Sequence, residues 1–144
     1  MALKTFAAIS IGSAVTEMKI FEFTSRRVMK EIDWISTRLG LGLDAYTMGR
    51  ISSRNVEELC RVLRDFARIM DGYKVNAYRA CATSAFRESR NMLILVDYIE
   101  KQTGLTIEVL SNSEQRFIDY QSIASVTTEF ESIIQNPAAI VDIG

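Results

Sequence analysis

The sequence predicts an α/β domain with a mixed five-stranded sheet that starts as an antiparallel three-stranded meander and has helices packed on it. Three observations predict this fold. Short apolar runs with β-branched residues open the chain, apolar residues at helical spacing follow the glycine-bearing stretch 38–42, and strand-like and helix-like segments alternate from there onward. The resulting order, β-β-β-α-β-α-β-α-β, places the meander first and the crossover helices after it.

The first part of the chain is predicted to form the meander. Residues 5–11 are an apolar run broken by one small polar residue, which is typical of a buried strand. Residues 12–14 form a turn, where glycine permits a sharp bend or a close approach to a ligand. Residues 15–23 and 28–36 are predicted to be the second and third strands, joined at 24–27.

An amphipathic helix follows, because apolar residues recur at spacings of three and four. Ser52 or Ser53 is expected to cap its start, and Asp71 and Gly72 to end it. The residues of its predicted buried face are Val56, Leu59, Cys60, Leu63, Phe66, Ala67 and Met70.

The remaining elements alternate between strand and helix. Residues 74–81 and 105–110 are predicted strands, and 84–102 and 113–134 are predicted helices. The only proline, Pro137, marks the break before a last strand-like run.

That last run, 138–144, has the same pattern as 6–13: apolar residues, one small polar residue and a closing glycine. Two strand-turn units of this kind, about 130 residues apart, indicate two loops that face one anionic ligand.

Composition excludes several classes of protein. The net charge is −1 and no run of Lys or Arg builds a basic stripe that could follow a phosphate backbone, which disfavours a nucleic-acid partner. No segment approaches the roughly 18 continuous apolar residues of a membrane span. The first residues lack the apolar stretch of a signal peptide, so we expect a cytoplasmic protein.

The absence of histidine restricts the chemistry that is possible. It removes Ser-His and Cys-His nucleophiles, histidine zinc sites and histidine acid-base catalysis. The two cysteines, Cys60 and Cys81, are expected to be reduced and buried. Any reaction must therefore use carboxylates, arginines, backbone amides and a hard metal ion such as magnesium.

Two junctions are candidates for binding an anion. At Gly12 and Ser13, backbone N–H groups and one hydroxyl would cradle a phosphate, although a tight hairpin turn explains the same residues. At 82–88 a strand runs into a helix that Thr83 or Ser84 can cap. Arg87 lies in its first turn, against the helix dipole, which indicates an anionic partner or a solvated surface arginine.

A third junction has two interpretations. Ser111 and Glu114 have the Ser-x-x-Glu spacing of a capping box, in which each side chain accepts from the other residue's backbone N–H. The functional interpretation makes Glu114 a general base that orients a water molecule. Both interpretations can be correct, because the cap would occupy the Glu114 carboxylate only while no substrate is bound.

Taken together and in this order, these sites resemble the exopolyphosphatase/guanosine pentaphosphate phosphatase (Ppx/GppA) family. That family belongs to the actin-like ATPase superfamily, whose ribonuclease H-like domains lie in similar pairs around a cleft. The resemblance covers essentially the whole chain and is carried by the segments 6–13, 38–42, 82–88, 103–111, 114–116 and 140–144.

The resemblance implies hydrolysis of a terminal phosphoanhydride bond in inorganic polyphosphate or guanosine pentaphosphate, with Mg²⁺. It also implies a role for each matching residue: Gly12 and Ser13 in the first phosphate loop, Arg87 as a phosphate clamp, and Glu114 as the catalytic base. In the second phosphate loop, Gly144 would bind phosphate and Asp142 the metal ion.

Three residues depart from the family pattern. Ser10 and Ala14 stand where the family has aspartate and asparagine, and Gln115 stands where alanine or glycine is usual. These departures favour an alternative, a non-catalytic member that binds polyphosphate or a guanosine tetra- or pentaphosphate as a regulator. A sugar kinase or actin-like ATPase shares the superfamily fold but matches 83–87 and 114–116 less well.

The resemblance also predicts how the chain is divided. Residues 1–134 would be the first actin-like domain, and 135–144 the first strand of a truncated second domain. We therefore expect an N-terminal fragment that is inactive by itself. Because the absence of a partner domain would leave apolar surface uncovered, we also expect a homodimer.

Overall fold

A computed structural model of the chain describes residues 4–24, 29–126, 130–135, 137–139 and 141. The chain divides into two compact units, Met1–Val109 and Leu110–Gly144, and each is described by itself.

The first unit contains a five-stranded mixed sheet. Its strands are β1 (Lys4–Ile11), β2 (Val15–Phe23), β3 (Met29–Arg38), β4 (Ala77–Ala82) and β5 (Ile107–Val109). Their order is β3-β2-β1-β4-β5, in which β1, β2 and β3 are antiparallel neighbours and β1, β4 and β5 are parallel. This confirms the predicted meander and the mixed sheet.

Among the described residues of the first unit, the helices are α1 (Leu41–Met48), α2 (Ser53–Gly72), α3 (Ser84–Arg87) and α4 (Met92–Thr103). The second unit contains α5 (Asn112–Val126) and α6 (Phe130–Ile134). Within the described ranges, no helix is both long and apolar enough to cross a membrane.

The core lies between one face of the sheet and the helices. Ala7, Ile9 and Ile11 alternate along β1 and are buried, as the period of two requires. On α2 the predicted stripe is buried, except Ala67, which is half-buried. The Asn55 N–H donates to Ser52 Oγ at 3.4 Å, so Ser52 is the cap of α2.

Helix α1 was not predicted; its residues 41–42 were assigned to a glycine-bearing connection. Gly42 lowers its helix propensity, and its apolar residues do not form one stripe, since Leu41 and Ala45 are buried while Leu43 is exposed. Tertiary contacts stabilise it instead, as Gly42 N–H donates to Ser13 O at 2.7 Å.

The single helix predicted over 84–102 is wrong, because the chain forms α3 and α4 with a break at Glu88–Asn91. At the break, Arg90 N–H donates to Gly49 O at 3.0 Å. The Asn91 side chain donates to Ile51 O at 3.1 Å and accepts from Ile51 N–H at 3.3 Å. At this break, hydrogen bonds to the loop after α1 thus replace the hydrogen bonds of a continuous helix.

Two predicted strands are shorter than expected. Strand β4 begins at Ala77 because Lys74 has a φ of 53°, which is incompatible with a strand. Strand β5 is limited to 107–109, the three residues that pair with 80–82 of β4. Strand β3 runs on to Arg38, with a bulge at Ile32 that shifts its register against β2.

In the second unit, the helix predicted over 113–134 is α5 followed by α6, and residues 127–129 between them lie outside the described residues. Of the predicted last strand, 138–144, only Ala138, Ala139 and Val141 are described, and they have no regular secondary structure. The division at residues 134 and 135 stays a prediction.

Candidate functional site

The turn after β1 is a tight hairpin. The Gly12 N–H donates to Val15 O at 2.9 Å, and a Cβ atom at residue 12 would lie only 2.9 Å from that oxygen. The hairpin interpretation of Gly12 is therefore correct as local structure. It still leaves room for a ligand, because in the described part of the chain the N–H groups of Ser13 and Ala14 donate to no protein acceptor.

Helix α1 packs directly on this turn. A Cβ atom at Gly42 would lie 2.7 Å from Ser13 Cβ and 3.2 Å from Tyr46 Cε2. Only glycine allows the helix to approach Ser13 this closely. The approach brings Tyr46, one turn further along α1, to the hydroxyl of Ser13.

Three hydroxyl groups meet there in a closed triangle. Ser13 Oγ lies 2.9 Å from Ser84 Oγ and 3.0 Å from Tyr46 OH, and Tyr46 OH donates to Ser84 Oγ at 2.8 Å. These groups belong to the β1–β2 turn, to α1 and to the first residue of α3. Sequence reasoning missed Tyr46, because α1 itself was not predicted and no motif marked it.

The end of β4 lies beside the end of β1. Thr83 N–H donates to Ile11 O at 3.2 Å, and Arg87 N–H donates to Thr83 O at 3.1 Å. Helix α3 is anchored by Ala85 and Phe86, both fully buried. The first turn that contains Ser84 and Arg87 thus leaves the same edge of the sheet as Gly12 and Ser13, as the parallel pairing of β1 and β4 requires.

The side chain of Arg87 is mostly buried, with 21% of its surface exposed. Its Nε lies 3.8 Å from Glu88 Oε1, which is an ion pair too long for a hydrogen bond. Arg87 belongs to the helix whose first residue, Ser84, contacts Ser13, so this arginine comes from the same edge of the sheet as the turn after β1, and guanidinium groups suit an anion.

Asp44 fixes α1 to the start of α2. Its Oδ2 accepts from Ser52 N–H at 2.9 Å and from Asn55 Nδ2 at 2.7 Å, and also from the Ser52 hydroxyl. Burial alone would raise the pKa of Asp44, but the bonds from Ser52 and Asn55 outweigh it and lower that pKa below the ordinary 3.8. The carboxylate is therefore a structural anion that holds α1 in place.

The departures at Ser10 and Ala14 change the donors of this turn. Ser10 pairs with Cys81 on one side and with Glu17 on the other. The Glu17 carboxylate accepts from the Trp34 indole N–H at 2.9 Å. Within the described ranges, no group of three His, Cys, Asp or Glu side chains is placed to hold a metal ion. At the turn after β1, the backbone N–H groups and the Ser13 hydroxyl are neutral donors, which suit an anion.

Glu114 lies in the second unit, at the start of α5. Ser111 N–H donates to Glu114 Oε2 at 2.8 Å, and Glu114 N–H donates to Ser111 Oγ at 3.2 Å. The predicted capping box is therefore present. The base assignment stays a prediction.

Asp142 and Gly144, the predicted residues of the second phosphate loop, lie outside the described residues. The structure therefore brings Gly12, Ser13 and the turn that contains Arg87 to one edge of the sheet. It adds Tyr46 and Ser84 to them.

Comparison with known proteins places this architecture among solved relatives. A family model described as the Ppx/GppA phosphatase family matches residues 2–144. The crystal structure of the Aquifex aeolicus member of the Ppx/GppA protein family superposes with a TM-score of 0.80 at 24% identity, over 85% of this chain and 40% of that one.

Two further crystal structures have the same fold. One is an exopolyphosphatase-like protein (TM-score 0.72, 26% identity, 81% of this chain and 35% of that one). The other is an exopolyphosphatase from Cytophaga hutchinsonii (TM-score 0.71, 24% identity, 76% of this chain and 35% of that one). The chain spans 35–40% of the length of these proteins. A search of curated proteins gave no match.

Proposed function

The chain belongs to the Ppx/GppA phosphatase family, and we propose that it forms the first phosphate-binding half of an exopolyphosphatase-like phosphohydrolase. The substrate would be inorganic polyphosphate or guanosine pentaphosphate, from which the terminal phosphate is released. The observation that carries the proposal is the hydrogen bond of 2.9 Å between the hydroxyls of Ser13 and Ser84, which joins the turn after β1 to the turn that contains Arg87.

Each part of this site supplies something that phosphoryl transfer needs. The reaction depends on positioning the phosphate chain and on neutralising the charge on its oxygens. The hairpin at Gly12 presents the N–H groups of Ser13 and Ala14, the serine hydroxyls add donors, and Arg87 adds a positive charge with a forked set of donors.

Glu114 would take the proton of the attacking water. Its carboxylate is held in one orientation by the Ser111 N–H, at 2.8 Å. This cap would occupy the carboxylate only while no substrate is bound, and its release would free the oxygen to accept the proton of the water molecule.

Mg²⁺ would neutralise phosphoryl oxygens, with Asp142 of the second phosphate loop as its protein ligand and Gly144 beside the phosphate. Ser13 and the N–H groups of its turn are neutral donors, which fit an anion better than a metal ion, so the first loop would bind phosphate directly.

A regulatory binding protein is the second candidate function. Ser10 and Ala14 replace the family's aspartate and asparagine, and Gln115 replaces a small residue beside the proposed base. Such a protein would keep the anion site at Ser13 and Arg87 but would not hydrolyse the phosphate chain.

Phosphate release from polyphosphate and from guanosine pentaphosphate separates the two candidates. The assay compares wild type with Glu114→Gln in the protein at its full natural length, and Glu131→Gln on α6 is the matched control for loss of an exposed carboxylate. We expect Glu114→Gln to lower the rate by about 10²-fold or more and Glu131→Gln to leave it unchanged. Negligible release by wild type, together with retained polyphosphate binding, would support the regulatory protein instead.

A further inference from the structure

The hydroxyls of Ser13 and Ser84 serve the proposed phosphate site as donors, whereas Tyr46, the third member of the hydroxyl triangle, has no role in the proposed reaction. Each hydroxyl has one proton to donate, and the triangle has three O···O edges. A closed cycle of donation therefore uses every proton within the triangle. Because Tyr46 donates to Ser84, the consistent cycle is Tyr46 to Ser84, Ser84 to Ser13, and Ser13 back to Tyr46.

An anion at the turn would break this cycle at one edge only. To bind a phosphoryl oxygen, Ser13 must turn its proton away from Tyr46 and toward the ligand. The edge that is lost, Ser13 to Tyr46, is the longest of the three at 3.0 Å, against 2.8 and 2.9 Å for the others. What remains is a chain of donors, from Tyr46 through Ser84 to Ser13, in which each bond strengthens the next.

Tyr46 is well placed to start such a chain, because its position is set by contacts other than the triangle. Asp44 ties α1 to Ser52 and Asn55, and the Arg90 guanidinium donates to Met48 O at 3.1 Å at the other end of the helix. The backbone that carries this exposed phenol is therefore held before any ligand arrives, which lowers the entropy cost of binding.

We infer that Tyr46 is a positioning residue of the phosphate site, whose hydroxyl orients those of Ser84 and Ser13 so that Ser13 donates its proton to a phosphoryl oxygen. This inference rests on the proposed function. It identifies α1 as part of the site.

The test measures binding of inorganic tripolyphosphate to the 144-residue chain by calorimetry. Tyr46→Phe removes only the hydroxyl, and we expect about 2- to 10-fold weaker binding, the effect of one hydrogen bond, with an unchanged melting temperature. Tyr78→Phe is the matched control, since its hydroxyl accepts from Thr106 N–H at the opposite end of β4. Binding by this variant should equal that of wild type.

A conservative replacement distinguishes positioning from packing. A ring-fluorinated tyrosine at position 46 keeps the hydroxyl and makes it a stronger donor. If Tyr46 acts through its hydroxyl, this variant should bind tripolyphosphate at the wild-type level or more tightly. If only the packing of the ring matters, Tyr46→Phe keeps the ring and should already bind like wild type.

The outcomes separate this inference from the proposed function. If wild type binds tripolyphosphate and Tyr46→Phe binds it equally well, the inference is wrong and the proposed function stands. If wild type does not bind, the proposed phosphate-binding role of this chain is wrong, and Tyr46 is not a residue of a phosphate site. The narrower claim, that Tyr46 orients the hydroxyls of Ser13 and Ser84, is then decided without ligand by the Hα–Hβ couplings of these serines, which report the χ1 rotamer. Rotamer averaging in Tyr46→Phe supports the positioning role, and unchanged couplings refute it.

Discussion

The backbone N–H of Gly42 donates to the carbonyl oxygen of Ser13 at 2.7 Å, and a Cβ atom at residue 42 would lie 2.7 Å from the Cβ atom of Ser13. This contact seats α1 on the turn after β1. Both the phosphate loop and the hydroxyl triangle depend on it, because Tyr46 reaches Ser13 only when the helix comes this close.

Gly42→Ala should therefore destabilise the chain and weaken anion binding. The new methyl group would force α1 away from Ser13, at a cost of about 1–3 kcal/mol in the free energy of unfolding. Urea unfolding measures this change. Gly72→Ala is the control, since a Cβ atom there meets nothing within 4 Å, and alanine near the end of α2 should be neutral or slightly stabilising. Equal stabilities for the two variants would contradict the close contact.

Arg87→Ala should weaken tripolyphosphate binding by about tenfold or more, because a charge-assisted hydrogen bond to the anion is lost. Arg68→Ala removes the same charge from α2, where Arg68 forms an exposed pair with Asp65 at 3.0 Å. It should affect binding only slightly, and less at high salt. Calorimetry at two salt concentrations checks this, and comparable losses for both variants would show that net charge alone governs binding.

Asp44 should make the stability of the chain depend on pH in acid. Burial would raise its pKa, but the bonds from Ser52 and Asn55 lower it below the ordinary value of 3.8 in the folded chain. A lowered pKa stabilises the fold above the unfolded value, and this stabilisation is lost as pH falls through the folded value. Wild type should therefore keep this contribution at neutral pH and lose it below pH 3.8.

Asp44→Asn tests that dependence. The variant should be about 1 kcal/mol less stable than wild type at neutral pH, and the difference should shrink as the pH falls below 3.8. Urea unfolding at several pH values measures it, with Asp71→Asn at the exposed end of α2 as the control. A constant difference across the acid range would rule out the charge of Asp44 as the cause.

Thr16 is fully buried, and in the described part of the chain its hydroxyl has no hydrogen-bond partner. Thr16→Val replaces the hydroxyl with a methyl group of similar size. It should leave stability unchanged or raise it by about 1–2 kcal/mol, because the desolvation cost of the hydroxyl is removed. Thr37→Val, at its half-buried cross-strand partner, should change stability less. Thermal unfolding compares the two, and a clear loss in Thr16→Val would point to an internal bond.

Much of the fold was predictable because its signals are local. The alternation of β1 and β2, and the stripe on α2 from Val56 to Met70, reflect contacts between one element and one core, so the period of the sequence reports them directly. The capping box at Ser111 and Glu114 was predictable for the same reason, since its partners are three residues apart.

The break between α3 and α4 was not predictable. Residues 84–102 contain no helix breaker such as proline, and the break exists because Arg90 and Asn91 bind the loop after α1, about 40 residues earlier. Helix α1 itself is held by partners such as Ser13 and Ser52, which supply what its weak helix propensity does not.

The sequence by itself determined the α/β class, the meander, the main core helix and the positions of Gly12, Ser13 and Arg87 along the chain. Only the tertiary structure decided that Tyr46 joins them. The triangle it forms links residues that are 33, 38 and 71 positions apart. No local period encodes such a meeting, because it depends on the parallel pairing of β1 with β4 and on the absence of a side chain at Gly42.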